Sequence, residues 1–203
     1  MLRVGLTGGI ATGKTTVGEM FVQLGCHLID SDEIAHQLFE PGQDVHDAVI
    51  KTFGSNIVAA DGIIDRKILG EIVFKDSAAR AKLNALVHPA IIRRQQEFLA
   101  DIARTDPKGV GMVSAALMVE IGTYKNYDKV IVLSCPPDVQ RARLKARSAL
   151  SDEQIEQRVA SQMPVEEKVK YGDFVIDTST DLETTRRQVE ALNSKLLGLA
   201  ANT

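Results

Sequence analysis

Cysteine is scarce in this chain of 203 residues: there are two, Cys26 and Cys135. They make no C-x-x-C, no zinc-ligand spacing and no disulfide framework. Both read as small buried hydrophobes at strand ends, and a reducing cytoplasm is the expected setting. Long apolar runs are also missing. None approaches the ~18 residues that a bilayer span needs. Met1-Leu2-Arg3 leads into a short apolar segment without a small-residue cleavage site, so neither a membrane span nor a signal peptide is expected. There is no excess of positive charge either. The net charge is -3, which argues against broad binding to nucleic acid or anionic membranes. Internal repeats and Gly/Ser/Pro linker tracts are absent. What is present is the composition of an ordinary soluble domain, 44% hydrophobic and 25% charged, which excludes collagen-like and disordered classes. The length fits one domain, or one domain carrying an insertion.

The periodicity predicts a strand over 2–7, a loop over 8–13 and a helix over 14–24, where Val17, Met20, Phe21 and Leu24 share a face. A second strand follows over 26–29 and ends at Asp30-Ser31-Asp32. This β-loop-α-β pattern opens a parallel sheet. A helical interval comes next, with Asp65 as an N-cap and a break expected at His88-Pro89 before a further helix over 89–103. Strands return over 110–115 and 130–134. Pro136-Pro137 opens a helix to about Arg147. Ser151 and Gln154 form a capping box for another, which Pro164 is expected to end. A short strand over 174–176 precedes a C-terminal amphipathic helix.

Gly8-Gly9-Ile10-Ala11-Thr12-Gly13-Lys14-Thr15 fits G-x-x-x-x-G-K-[ST] between a predicted strand and a predicted helix, the context this phosphate loop requires. Glycines let backbone N–H groups turn toward phosphate oxygens. The helix that follows directs its positive end at the same place. Lys14 is expected to reach the β- and γ-phosphates and the Thr15 hydroxyl to take a position on Mg²⁺. Thr16 completes the nucleotide-binding set. Asp30-Ser31-Asp32 lies at the carboxyl end of the second strand, where open α/β sheets bind ligands. On the residues alone two readings stand. A carboxylate there serves an acceptor hydroxyl or a metal-bound water, or Ser31 and Asp32 merely cap the next helix.

The series of motifs resembles the dephospho-coenzyme A kinase family, P-loop kinases related to nucleoside monophosphate kinases. The resemblance runs from Val4 to about Val189. It is carried by Gly5-Leu6-Thr7-Gly8-Gly9-Ile10, Gly13-Lys14-Thr15-Thr16-Val17, Ile29-Asp30-Ser31-Asp32, Asp61-Gly62 with Asp65-Arg66, and His88-Pro89. Further along come Ala116-Leu117-Met118-Val119-Glu120, Gln140-Arg141-Ala142-Arg143-Leu144 with Arg147, Arg158 with Gln162, and Asp173-Phe174-Val175-Ile176. The resemblance implies an ATP- and Mg²⁺-dependent kinase of the ribose 3′-hydroxyl of dephospho-coenzyme A. It implies an α/β fold: a P-loop core with a parallel sheet flanked by helices (1–32 and 109–203), a helical acceptor-binding insertion (33–108) and a helical lid (138–170). By the same analogy Asp32 is the general base or hydroxyl orienter. Thr7, Arg66, His88, Leu117 and Glu120 join it on the acceptor side.

The chain departs from the family pattern at three places. Ala116 stands where a proline is usual, and Ser114 where an acidic residue is common. Mg²⁺ is therefore expected to rely on Thr15, phosphates, water and Asp32. Thr178, Ser179 and Thr180 replace the usual Asn, Ser and Gly, which leaves adenine contacts mostly to the backbone. The i, i+4 pairs Arg141/Lys145 and Arg143/Arg147 read as a solvated helix face or as lid cations closing over phosphate; the resemblance favours Arg141 as catalytic and Arg147 as a nucleotide contact. Arg158 and Gln162 are expected on one helix face, buttressing the lid. The partner is a small molecule, with no nucleic acid or membrane, and the oligomeric state is open. Another nucleotide or nucleoside kinase of this fold, or a non-catalytic nucleotide-binding module, are the alternatives. A GTP-dependent switch protein would need an Asn-Lys-x-Asp element, and none occurs.

Overall fold

Five strands make one sheet in the order β2-β3-β1-β4-β5. They are β1 Leu2–Gly8, β2 His27–Asp30, β3 Val110–Ser114, β4 Lys129–Ser134 and β5 Phe174–Asp177. The pairings β1/β3, β1/β4 and β4/β5 are parallel, with Leu6 beside both Ser114 and Ile131. The computed structural model describes residues 1–202. It divides into two compact units: Met1–Ile29 with everything from Leu99 onward, and Asp30–Phe98. Asp30-Ser31-Asp32 thus opens the second unit.

In the first unit, β3 is buried along its whole length and β1 and β4 nearly so, as parallel strands covered on both faces must be. Val17, Met20 and Phe21 of α1 (Lys14–Gln23) join Leu2, Val4, Leu6, Val110, Met112, Ile131 and Leu133 in one core. The C-terminal helix, α9 (Leu182–Ala201), adds Val189, Leu192, Leu196 and Ala200 from one stripe. It starts cleanly because Asp181 accepts from the Thr184 N–H at 2.7 Å. Burying each such aliphatic side chain stabilises the fold by roughly 1.5–3 kcal/mol. Cys26 and Cys135 are free and buried, one just before β2 and the other just after β4, as expected.

The second unit holds α2 (Ser31–Gln37), α3 (Asp44–Phe53), α4 (Arg66–Lys75) and most of α5 (Ser77–Thr105). The break expected at His88-Pro89 does not occur, and α5 runs 29 residues with Pro89 inside it. Proline removes one helical N–H and crowds the carbonyl four residues back. Here Val87 and Ala90, on either side of it, are both buried, and burial of apolar side chains offsets such a loss.

After β4 come α6 (Pro137–Arg147), α7 (Asp152–Ala160) and the short α8 (Val165–Lys168). The capping box forms as predicted, with Ser151 Oγ accepting from the Gln154 N–H at 3.2 Å. Two expectations need correction. Pro164 does not end α7, which stops at Ala160; it is the N-cap of α8 instead. Gln162 therefore lies beyond the helix and shares no face with Arg158.

Candidate active site

The phosphate loop leaves β1 at the carboxyl edge of the sheet, with β3 and β4 on either side. Two of its residues are left-handed, Ala11 at φ 60° and Gly13 at φ 88°. Glycine takes that shape freely. Ala11 is the one non-glycine residue with positive φ among the described residues, at a cost of about 1–2 kcal/mol. Thr12 is wholly buried and holds the turn from within, its hydroxyl donating to the Gly9 carbonyl at 2.8 Å. Thr178 closes it from just beyond β5, its hydroxyl donating to the Thr12 carbonyl at 2.9 Å. Gly9 has no room for a side chain: a Cβ would lie 2.5 Å from Gln140 Nε2 and 2.8 Å from Val165 Cγ2.

This arrangement suits an anion. Among the described residues no protein acceptor meets the N–H of Ala11 or Gly13. The start of α1 adds its positive dipole end. Lys14 Nζ lies 3.4 Å from the carbonyls of Gly8 and Gly9. Thr15 and Thr16 are exposed in the first turn of α1. The predicted loop set, Gly8 to Thr16, is thus gathered in one place.

Other residues reach the loop from later in the chain. Gln140 Nε2 donates to the Ile10 carbonyl at 2.8 Å, and Gln162 Oε1 accepts from the Ile10 N–H at 2.7 Å. Arg143 donates to the Thr178 carbonyl and, at 3.5 Å, to that of Ala11. With Arg147, Thr16, Thr178 and Leu182 it lines a cavity of about 450 Å³ beside the loop. Arg141 is instead paired through its guanidinium with Glu156 of α7, both side chains exposed.

Glu120 also has a partner that the motif reading did not foresee. It faces Lys168 Nζ at 2.9 Å and accepts from the Met163 N–H at 3.0 Å. Lys168 donates to the Ala116 carbonyl at 2.7 Å, onto which the buried Thr7 hydroxyl also points at 3.4 Å. Leu117, between these residues, is exposed. Lys168 had no signal in the sequence: it is one more polar residue in a charged stretch, and only the fold buries it. Gln140 stands in the motif series without a role of its own, and the fold buries it against the loop.

In the second unit, the cap of α2 is neither Ser31 nor Asp32 but Asp30, whose carboxylate accepts from the Asp32 N–H at 2.7 Å. Ser31 is buried and takes a hydrogen bond from Gln95 Nε2 at 2.8 Å. Asp32 is exposed, and capping does not occupy its carboxylate. Arg66 is exposed at the start of α4, behind the Asp65 cap. His88 is half-buried in α5, and burial pushes its imidazole pKa down, favouring the neutral ring.

A divalent cation fits the donor set only with help from its ligand. No group of three His, Cys, Asp or Glu side chains suited to a metal occurs among the described residues. β3 ends in Ser114, not a carboxylate. Thr15 offers an exposed hydroxyl in the first turn of α1, and Mg²⁺ commonly takes few protein oxygens while phosphates and water supply the rest. Among the described residues no helix is long and apolar enough to cross a membrane.

A family model described as dephospho-CoA kinase matches residues 2–184. The dephospho-CoA kinase of Aquifex aeolicus is 42% identical over 196 residues, covering 97% of this chain and 98% of that protein. That of Geobacter metallireducens is 44% identical over 192 residues, 95% of each. The solved dephospho-CoA kinase from Campylobacter jejuni superposes with a TM-score of 0.73 at 30% identity, covering 97% of both chains.

Proposed function

The chain belongs to the dephospho-CoA kinase family, and on that premise we propose how its residues divide the work. The protein is a transferase that phosphorylates dephospho-CoA from ATP in coenzyme A biosynthesis. The acceptor is the ribose 3′-hydroxyl and the products are coenzyme A and ADP. The loop formed by Gly8, Gly9, Ile10, Ala11, Thr12 and Gly13 takes the ATP phosphates on its backbone, and Lys14 neutralises the β- and γ-phosphates. Thr15 would hold Mg²⁺ together with ATP and water, and the ion would supply charge that offsets the phosphates. The nucleoside occupies the cavity beside Arg143 and Arg147.

Asp32 orients the acceptor hydroxyl and takes its proton as the oxygen bonds to the γ-phosphorus. The bond from that phosphorus to the bridging oxygen breaks, and its electron pair leaves with ADP. The release of Asp32 from capping, through Asp30, supports this role. Arg66, His88, Leu117 and Thr7 belong to the acceptor side. Arg141 reaches the transferring group by leaving Glu156, an exposed pair that is readily traded for phosphate. We place the reaction in the cytoplasm, in keeping with two free thiols.

The observation that carries this reading is the left-handed loop with two unclaimed N–H groups opening α1. A coupled assay of ADP release tests it, comparing dephospho-CoA with nucleoside monophosphates. Turnover should depend on dephospho-CoA. ADP release that ignores dephospho-CoA would overturn the acceptor assignment.

A further inference from the structure

Two amide side chains grip the phosphate loop from outside it. Gln140, buried on α6, donates to the Ile10 carbonyl at 2.8 Å. Gln162, between α7 and α8, accepts from the Ile10 N–H at 2.7 Å. They hold the two peptide groups on either side of the Ile10 Cα. The second of these, between Ile10 and Ala11, sets the φ of Ala11, which is the strained +60°. Turning that peptide over relieves Ala11, and nothing within the alanine resists the turn. The same movement exchanges the directions of the Ile10 carbonyl and the Ala11 N–H. Among the described residues no protein acceptor meets the Ala11 N–H, so it is a group an anion can use. Gly9 points the same way, because a Cβ there would meet the Gln140 amide at 2.5 Å.

We infer that Gln140 and Gln162 are positioning residues for the phosphate donor: by fixing both peptides of Ile10 they keep the Ala11 N–H turned toward ATP. Gln162 further ties the readiness of the loop to the segment between α7 and α8. The inference rests on the reading that this loop binds ATP. It is independent of which acceptor receives the phosphoryl group.

The test is direct titration of ATP into the full chain, with steady-state transfer to dephospho-CoA measured in parallel. Gln140→Ala and Gln162→Ala should each weaken ATP about tenfold, as the loss of one positioned hydrogen bond does, and leave the KM for dephospho-CoA unchanged. Ala11→Gly, which makes the left-handed turn free of strain, should restore most of the ATP affinity lost in Gln140→Ala. A purely structural role of Gln140 would not be rescued from inside the loop. ATP affinity unchanged in both variants, or no recovery on adding Ala11→Gly, overturns the proposal. Should Gln140→Ala fail to fold, the half-buried Gln162→Ala decides alone: weaker ATP binding supports the inference and unchanged binding refutes it. Failure of wild type to phosphorylate dephospho-CoA would count against the acceptor instead, and the ATP titration would still read the clamp.

Discussion

Lys168 and Glu120 meet at 2.9 Å, and none of the Lys168 side chain is exposed. The pair joins α8 to the segment after β3, and the Ala116 carbonyl and Met163 N–H complete its hydrogen bonds. A buried ammonium without its carboxylate is left with an uncompensated charge. Glu120→Ala should therefore lower stability by about 3 kcal/mol. In a chain of this size that is a fall in melting midpoint of roughly 6–12 °C. Replacing both partners, Lys168→Met with Glu120→Leu, should recover most of the loss. Thermal unfolding of the three variants checks this; equal midpoints for wild type and Glu120→Ala would show the pair to be idle.

Lys14→Ala should reduce turnover by at least about a hundredfold, because preorganised charge at the transferring phosphoryl group is lost. Its melting midpoint without nucleotide should stay within about 2 °C of wild type, as expected for a partly exposed loop-end side chain. Turnover and unfolding measured on the same preparation separate the two effects.

Asp32→Asn should cut turnover by about 10²–10⁴, the usual range for a lost general base. Stability should hardly change, because Asp30 provides the cap of α2. The ADP-release assay in the presence of dephospho-CoA is the measurement. A variant as active as wild type would remove Asp32 from the mechanism.

His46 gives a stability signal with a definite sign. Its Nδ1 faces Asp47 and its Nε2 faces the Gly62 carbonyl, each at 2.9 Å. Only the protonated ring donates from both nitrogens. The hydrogen bond with Asp47 accordingly raises its pKa above the ordinary 6.5. A raised pKa contributes stability that is fully present below the unfolded value and is lost as pH rises through the folded one. The difference in melting midpoint between wild type and His46→Gln should therefore be largest near about pH 5.5 and shrink toward about pH 8.5. His88, shifted the other way by burial, is common to both proteins and cancels. A difference that grows with pH would contradict the assignment.

Much of this molecule is legible in one dimension. Strand β1, the loop and α1 follow from alternation, glycine spacing and an i, i+3, i+4 stripe, all local properties. The capping box at Ser151 and the cap at Asp65 are local too, and both form. Where local signals compete, the reading goes astray. Pro89 looks like a helix break, yet α5 continues because buried neighbours outweigh one missing hydrogen bond. Three oxygen-bearing residues in a row could each cap α2, and only backbone geometry selects Asp30.

By itself the sequence determined the chemistry available to this protein: a glycine-rich turn with Lys14 and Thr15, a carboxylate at Asp32, and a family pattern spread over most of the chain. Those are matters of residue type and spacing. The tertiary structure decided which polar groups are spent and which are free to act. It commits Arg141 to Glu156, Glu120 to the buried Lys168, and Gln140 and Gln162 to Ile10 across more than a hundred residues of chain. The physical reason is that a buried polar group must find its partner within hydrogen-bond distance in space, whatever its distance in sequence.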